Sequence, residues 1–386
     1  MLTTFAIQNY RSLLKLVVPL GRLNVITGPN ASGKSNLYRA LRLLAETAQG
    51  GVINALAREG GLQSTLWAGP EKISTGMRQG RVPVQGTIRK ESVRLRLGYG
   101  SKDFGYAISL GLPTPSDSAF ARDPEIKSER IWVGAVYKPA ATLIDRTGAI
   151  IKSRGEKGWR TVSHGISAFE SMFSHVSDPE SMPEVFFTRE MIRGWRFYDH
   201  FRTDRDAPAR QPRLGTRTPV LHHDGRDLAA ALQTIREIGD AAGLDIAIND
   251  AFPKSVVDIR RDDDGRFSLT FHQPGLLRPL SSAELSDGTV RFLLWVAALL
   301  TPRPPSLMVL NEPETSLHPD LLPALARLIV RASEQTQVWV VSHAAALITE
   351  LKRHRDCNSI ELERSFGQTQ IKGQKLLDAP AWSWPD

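Results

Sequence analysis

The sequence predicts an α/β fold with an antiparallel β subdomain and a mixed α/β insertion. Three observations predict it. A glycine-containing loop lies between a β-rich apolar run, Leu23 to Thr27, and a helix-like stretch, Ser35 to Ala48. Helix-like and strand-like segments alternate again from Thr289 to Val341. Between these ends, runs that alternate apolar and polar residues point to hairpins.

Thr4 to Ile7 and Leu13 to Val18 are short apolar runs separated by the polar stretch Gln8 to Ser12. Leu23 to Thr27 has the composition of a strand buried in a sheet, and the helix that follows the loop ends near Gly50 and Gly51. From Val82 to Leu112 the pattern has period two, through Val93, Leu95 and Leu97, then Tyr106, Ile108 and Leu110. Pro113 to Pro124 breaks it. A second β-like block, Ile131 to Val162, carries turns at Gly148, Gly155 and Gly158. The stretch after Met172 is irregular around Pro208, Pro212 and Pro219. Asp227 to Ala242 returns to helical spacing, with Leu228, Leu232, Ile235 and Ile238 on one face. Phe267 to Phe271, Leu307 to Leu310 and Gln337 to Val341 read as strands, and Thr289 to Leu300 and Asp320 to Ala332 as helices. This order predicts one discontinuous domain, residues 1–112 and 267–386, with an inserted β/α lid region at 113–266.

Composition narrows the class. Of the 386 residues, 41% are apolar and 23% charged, which suits a globular chain with a large core. The longest apolar run, Phe292 to Leu300, is too short to cross a bilayer. The N-terminus lacks the basic and apolar regions of a signal peptide. Cys357 is the one cysteine, so no internal disulfide forms, and a reducing, cytoplasmic location is expected. A net charge of +8, mostly arginine on the basic side, suits anionic partners such as nucleic acid. Phosphate ligands and plain solubility account for it equally.

The loop itself carries chemistry. Gly28-Pro29-Asn30-Ala31-Ser32-Gly33-Lys34-Ser35 fits the G-x-x-x-x-G-K-[ST] pattern and sits between strand and helix, where that pattern works. Its glycines let backbone N–H groups turn inward around a phosphate, and the helix start adds positive partial charge. Gly28, Asn30, Ser32, Gly33 and Asn36 are the expected surroundings of ATP. Lys34 is expected to reach the β- and γ-phosphates, and Ser35 to place its hydroxyl on Mg²⁺. Further along, Leu307 to Leu310 ends in Asn311-Glu312-Pro313. In enzymes with such a loop, the neighbouring strand ends in an acid that holds the Mg²⁺ shell. Asn311 takes that place here and is neutral, while Glu312 is set to polarise water as a general base.

These residues resemble a family. Glu284-Leu285-Ser286-Asp287-Gly288-Thr289 resembles the signature of ABC-type ATPases, and Glu312 to Pro319 resembles the junction of their second nucleotide motif with the D-loop. Ser342-His343 resembles the switch histidine. The opening Asn9-Tyr10-Arg11-Ser12 is similar to the start of RecF- and SMC-like ATPases. The overall resemblance is to RecF-like ATPases grouped with the AAA_21 and overcoming-lysogenization-defect ATPase domains. It implies a P-loop NTPase head of ABC type. It also implies a homodimer closed head to tail, in which Ser286 and Gly288 of one copy face the γ-phosphate held by Lys34 of the other. Glu312 would then activate the attacking water and His343 would contact it or the γ-phosphate. Ser316 and His318 would lie at the seam.

Three departures stand against the family pattern. Asn311 removes a charge from the Mg²⁺ shell, which predicts slow turnover. Asp287 and Thr289 replace the usual residues of the signature. The glutamine that ligates Mg²⁺ has no clear counterpart, Gln63 being the nearest candidate. Other signals have two readings each. Between Arg189 and Arg217, eight arginines face four acids, with Trp195, Phe197, Tyr198 and Phe201 interleaved. That suits a nucleic-acid surface, or an irregular segment whose aromatics anchor it to the core. Arg11 reaches toward phosphate or projects from an edge. His222-His223-Asp224 reads as a turn before a helix rather than a metal cluster, and Trp382 and Trp384 as packing or a contact surface. Two outputs remain for the ATPase. One is DNA repair, recombination or maintenance. The other is a nucleotide-dependent interaction with a protein partner in a phage-defence or toxin system, without DNA contact and without a membrane.

Overall fold

The computed structural model describes residues 1–70, 74–79, 81–83, 93–115, 117–175, 178–375 and 378–385. Part of the expected period-two stretch, residues 84–92, therefore lies outside the described residues. The chain forms two compact units, residues 1–21, 27–194 and 360–386 in the first, and 22–26 and 195–359 in the second. This partition differs from an insertion at 113–266. Phe104–Gly111 and Glu125–Val133 are hydrogen-bonded neighbours in one sheet, so the chain does not leave the first unit at 112. Arg196–Tyr198 pairs with Leu307–Asn311, so the second unit begins near 195.

The first unit is built on an eight-stranded antiparallel sheet. Its order is Leu13–Pro19, Leu2–Tyr10, Leu95–Ser101, Phe104–Gly111, Glu125–Val133, Thr142–Thr147, Ile150–Gly155 and Gly158–Ser163. The expected turns are in place: Gly148 and Gly158 have φ of 57° and 107°, which glycine adopts without strain. At the centre, Glu129 and Arg146 face each other across two strands and are both fully buried. The Glu129 carboxylate accepts hydrogen bonds from Arg146, from the Tyr106 hydroxyl at 2.7 Å and from the Met172 N–H at 2.8 Å. Arg146 also donates to the carbonyls of Ser167 and Gly148, so the pair is compensated on both sides.

The second unit holds four parallel strands in the order Arg196–Tyr198, Leu307–Asn311, Gln337–Val341 and Leu23–Ile26. Leu23–Thr27 and Gln337–Val341 are buried at every position, as a parallel sheet covered on both faces requires. The helix Asp287–Leu299 is buried all round from Thr289 onward, and its Trp295 meets the Phe201 ring at 5.0 Å. Leu322–Ser333 turns Leu325, Leu328 and Ile329 into the same core. The expected single helix Asp227 to Ala242 is two helices, Leu228–Ile238 and Ala241–Ala251. Gly239 ends the first, and the Asp240 side chain accepts from the Gly243 N–H at 2.8 Å to start the second. Arg213–Leu214, Arg266–His272, Val256–Arg261 and Leu280–Ser281 form a small antiparallel sheet. No helix among the described residues is long and apolar enough to cross a membrane.

Removing one partner of a buried ion pair strands the other. Glu129→Ala is therefore expected to cost about 3–5 kcal/mol, read as a lower denaturation midpoint; a change within experimental error would show the pair to be unimportant.

Candidate functional site

The loop 28–33 follows the strand Leu23–Thr27 and enters the helix Lys34–Thr47. Gly28, Ala31 and Gly33 have φ of 143°, 62° and 108°, the sequence of turns that folds such a loop back on itself. Two of these positions admit glycine alone. A Cβ on Gly28 would lie 2.2 Å from the Leu362 carbonyl oxygen, and one on Gly33 would lie 2.1 Å from Thr369 Oγ1. The back of the loop is thus pressed against the hairpin formed by Leu362–Ser365 and Gln368–Ile371.

A directed chain of hydrogen bonds fixes this arrangement. Asn36 Nδ2 donates to Ser12 Oγ at 2.8 Å, Ser12 Oγ lies 2.7 Å from Thr369 Oγ1, and Thr369 donates to the Ser32 carbonyl at 2.8 Å. Ser12 therefore braces the loop from behind, and sequence reasoning gave no sign of Thr369. The buried Lys34 turns its ammonium back over the loop and donates to the carbonyls of Gly28 at 2.7 Å and Pro29 at 3.1 Å. Ser32 Oγ is buried without a hydrogen-bond partner among the described residues, and no side chain caps the helix start. An unmet hydroxyl, an uncapped helix start and a lysine held only by carbonyls fit a phosphate chain. Ser35 and Asn30 are exposed and Asn36 half-buried.

Arg11 neither projects freely nor stands alone. It pairs with Glu59 at 2.9 Å, and Tyr10 donates to the same carboxylate at 2.6 Å. Burial, and then the bond to Glu59, push the Tyr10 hydroxyl well above its ordinary value. Gln63 sits exposed on the short helix Leu62–Thr65. Trp382 packs edge-on against Trp132 and Trp384, so the tail tryptophans are packing residues.

In the second unit, three strands end level. Ile26 and Asn311 both pair with Val341, the Ser342 N–H donates to the Ile26 carbonyl at 3.2 Å, and the Glu312 N–H donates to the Val341 carbonyl at 2.8 Å. Glu312, at φ 49°, turns the chain abruptly. Its half-exposed carboxylate lies 3.8 Å from His343 Nδ1. Glu314 approaches the same nitrogen at 3.7 Å but is buried. Glu314 Oε1 accepts from Ser342 Oγ at 2.7 Å and from the N–H groups of His343 at 3.0 Å and Ala344 at 3.1 Å. One carboxylate oxygen thereby holds the whole turn that carries the histidine. Glu314 lies in the run Glu312-Pro313-Glu314, and its alternation with Glu312 was the available signal.

The signature turn opens the helix Asp287–Leu299. Ser286 is the N-cap, its hydroxyl accepting from the Thr289 N–H at 3.1 Å. Ser286 and Asp287 are exposed and Gly288 half-buried, whereas the rest of the helix is buried. The unusual Asp287 is neutralised by Arg210 at 2.7 Å. Arg210 is itself buried, and its other donors go to the carbonyls of Thr203, Ser282 and Leu285. Upstream, the Arg278 guanidinium, and then the Ser281 N–H, hold the exposed Glu284 carboxyl down at about 2.

Behind the turn, Arg291 donates to the carbonyls of Thr315 at 3.0 Å and Phe201 at 2.8 Å, and Trp295 Nε1 donates to the Pro313 carbonyl at 3.0 Å. Burial pulls the Arg291 guanidinium below its ordinary value. The signature helix and the segment 313–316 are therefore one hydrogen-bonded body. Ser316 holds φ 61°, and the exposed His318 accepts weakly from the Asp320 N–H.

Two weaker signals resolve. Trp195, Tyr198 and Phe201 are buried and Phe197 is half-buried, so three of the four aromatics in the basic stretch 189–217 are not presented for base stacking. His222 Nδ1 lies 2.8 Å from Asp224, and Arg226 lies 2.9 Å from His222 Nε2. Both ring nitrogens are thus engaged within the turn, although His222, His223 and Asp224 are close enough together to hold an ion.

Known proteins resemble this chain in family profile and in fold. The profile of the AAA_21 family, described as "AAA domain, putative AbiEii toxin, Type IV TA system", matches residues 23–349. An Smc head bound to the C-terminal winged-helix domain of ScpA is similar in fold, with a TM-score of 0.50, 13% identity, and coverage of 98% of this chain and 99% of that one. A second Smc head, with an extended coiled coil and bound to the C-terminal domain of ScpA from Pyrococcus furiosus, gives a TM-score of 0.48 at 12% identity, covering 98% and 97%. The mRNA cleavage and polyadenylation factor clp1 of Botryotinia fuckeliana is 27% identical over 255 residues, 61% of this chain and 48% of that protein. The chain thus spans about half the length of that relative. With the profile covering most of the sequence, the chain belongs to the AAA_21 family and has the P-loop ATPase fold of SMC heads.

Proposed function

We propose that the chain binds ATP with Mg²⁺ and hydrolyses it, and that two copies close head to tail around two ATP molecules. The observation that carries this reading is the exposure of Ser286 and Asp287 at the mouth of an otherwise buried helix. A helix start with free N–H groups attracts an anion, and only a group brought from outside the chain can use one that faces solvent. The γ-phosphate held by a second copy's loop is such a group.

The remaining roles follow from chemistry. Lys34 exchanges its carbonyl partners for the β- and γ-phosphates, and Gly28, Asn30, Ser32, Gly33 and Asn36 shape the loop around them. Ser35 and Asn311 hold Mg²⁺, which when bound neutralises charge on the phosphate oxygens. Glu312 accepts a proton from the attacking water, and His343, steadied by Glu314, orients that water or the γ-phosphate. Ser316 and His318 lie at the seam between copies.

For the output, action on DNA in repair, recombination or maintenance rests on the family resemblance and the +8 charge. The second reading is nucleotide-dependent docking of a protein in a cytoplasmic defence or toxin system. The burial of Trp195, Tyr198 and Phe201 favours it.

Lys34→Ala is expected to abolish ATP binding in calorimetry. Glu312→Gln should keep binding, slow hydrolysis by roughly 10²–10⁴-fold, and accumulate a dimer in light scattering with ATP and Mg²⁺. Adding Ser286→Arg to Glu312→Gln should leave it monomeric at unchanged ATP affinity; a dimer there would exclude the head-to-tail cage. Under the second reading, duplex DNA neither binds at physiological salt nor alters the ATPase rate. Stimulation by DNA, with affinity falling steeply as salt rises, would return the assignment to DNA.

A further inference from the structure

Asn311 leaves the end of the carboxylate strand without the charge expected there. Three residues on, Glu314 is more than nine-tenths buried, with an oxygen to spare. Its Oε1 is saturated by Ser342 Oγ and the N–H groups of His343 and Ala344. Its Oε2 is buried with no hydrogen-bond partner among the described residues. The ring nitrogen His343 Nδ1 is 3.7 Å from Oε1, outside hydrogen-bond range. A carboxylate oxygen taken from water and given no donor is costly unless a cation or a bound water meets it. The other acid of this segment, Glu312, is half-exposed and keeps its water.

We propose that Glu314 replaces the missing acid at 311: its Oε2 supplies the carboxylate charge for the divalent cation that accompanies the nucleotide, directly or through a water of that ion. The inference rests on the nucleotide reading above and assigns the protein's side of its metal. It also gives one residue two tasks. Oε1 holds the histidine-bearing turn while Oε2 senses the ion, so arrival of the ion and placement of His343 become linked.

The test uses Mn²⁺ as the probe, its affinity read by electron paramagnetic resonance on the full chain with a non-hydrolysable ATP analogue. Glu314→Gln keeps an acceptor for the three donors and removes only the charge. It is expected to weaken Mn²⁺ by about ten- to hundredfold while the thermal midpoint and the affinity for the analogue in EDTA stay unchanged. Asn311→Asp added to Glu314→Gln should recover most of the lost Mn²⁺ affinity. Unchanged affinity in Glu314→Gln would overturn the proposal, and so would a loss that Asn311→Asp does not rescue, since Glu314 would then only brace the turn. Failure of the unaltered chain to bind the analogue even with Mg²⁺ present would instead overturn the nucleotide reading, and this inference with it.

Discussion

Backbone register between three parallel strands is the constraint on which the edge carrying Glu312 and His343 depends. Val341 pairs on one side with Ile26 and on the other with Asn311, so the three strands finish together. Glu312 and Ser342 are then each tied back to the neighbouring strand by a main-chain bond. A one-residue slip would exchange the two faces of a strand, and since every position of Gln337–Val341 is buried, it would mispack side chains on both faces at once. The hydrophobic effect therefore enforces the register, and the register in turn places Glu312 and His343 within 3.8 Å. The approach of these two side chains is a by-product of how the core packs.

Charge inside the second unit has an organising role of a different kind. Arg210 and Arg291 are both buried, and main-chain carbonyls take most of their donors. Guanidinium presents five donors in a rigid fork, so it can cross-link loops that have no secondary structure of their own. Arg210 ties residues 203, 282 and 285 to the signature turn, and Arg291 ties the helix behind that turn to Thr315. With Trp295 on Pro313, the helix behind the turn at Ser286 is hydrogen-bonded twice to the segment after Glu312. The surplus of arginine over acid between residues 189 and 217 is spent in part on this internal cross-linking.

Much of this was legible in the sequence, for identifiable reasons. The loop at 28–35 and the strand at 307–311 announce themselves because glycine, lysine and acid sit at positions where backbone geometry leaves no substitute. The strands and the signature helix were readable from apolar runs, since burial on both faces is written directly in composition. The unit boundaries were not. They depend on which strands pair, and neither the join between 104–111 and 125–133 nor the short strand Arg196–Tyr198 carries a local signal. The helix break at Gly239 was signalled by Gly-Asp but masked by the apolar spacing running through it. Glu314, Arg210, Arg291 and Thr369 escaped notice for one reason: each acts through partners distant in the chain, and an Arg or Thr looks the same in sequence whether exposed or buried.

The groups proposed to meet the nucleotide share a further property. Each has an internal partner on its inner side: Lys34 has the carbonyls of Gly28 and Pro29, Ser286 has the Thr289 N–H, and Asp287 has Arg210. Ligand binding at Lys34 then exchanges hydrogen bonds instead of creating them. The net gain from an exchanged bond is modest, about 0.5–1.5 kcal/mol, and larger where a charged acceptor replaces a neutral one. A phosphate oxygen competes well against a peptide carbonyl for an ammonium on exactly that ground of charge. Ser32 Oγ and Glu314 Oε2 are the exceptions, since both are buried and neither has a partner among the described residues. Selectivity is expected to concentrate at such groups, because a ligand that satisfies them removes a cost that the free chain carries.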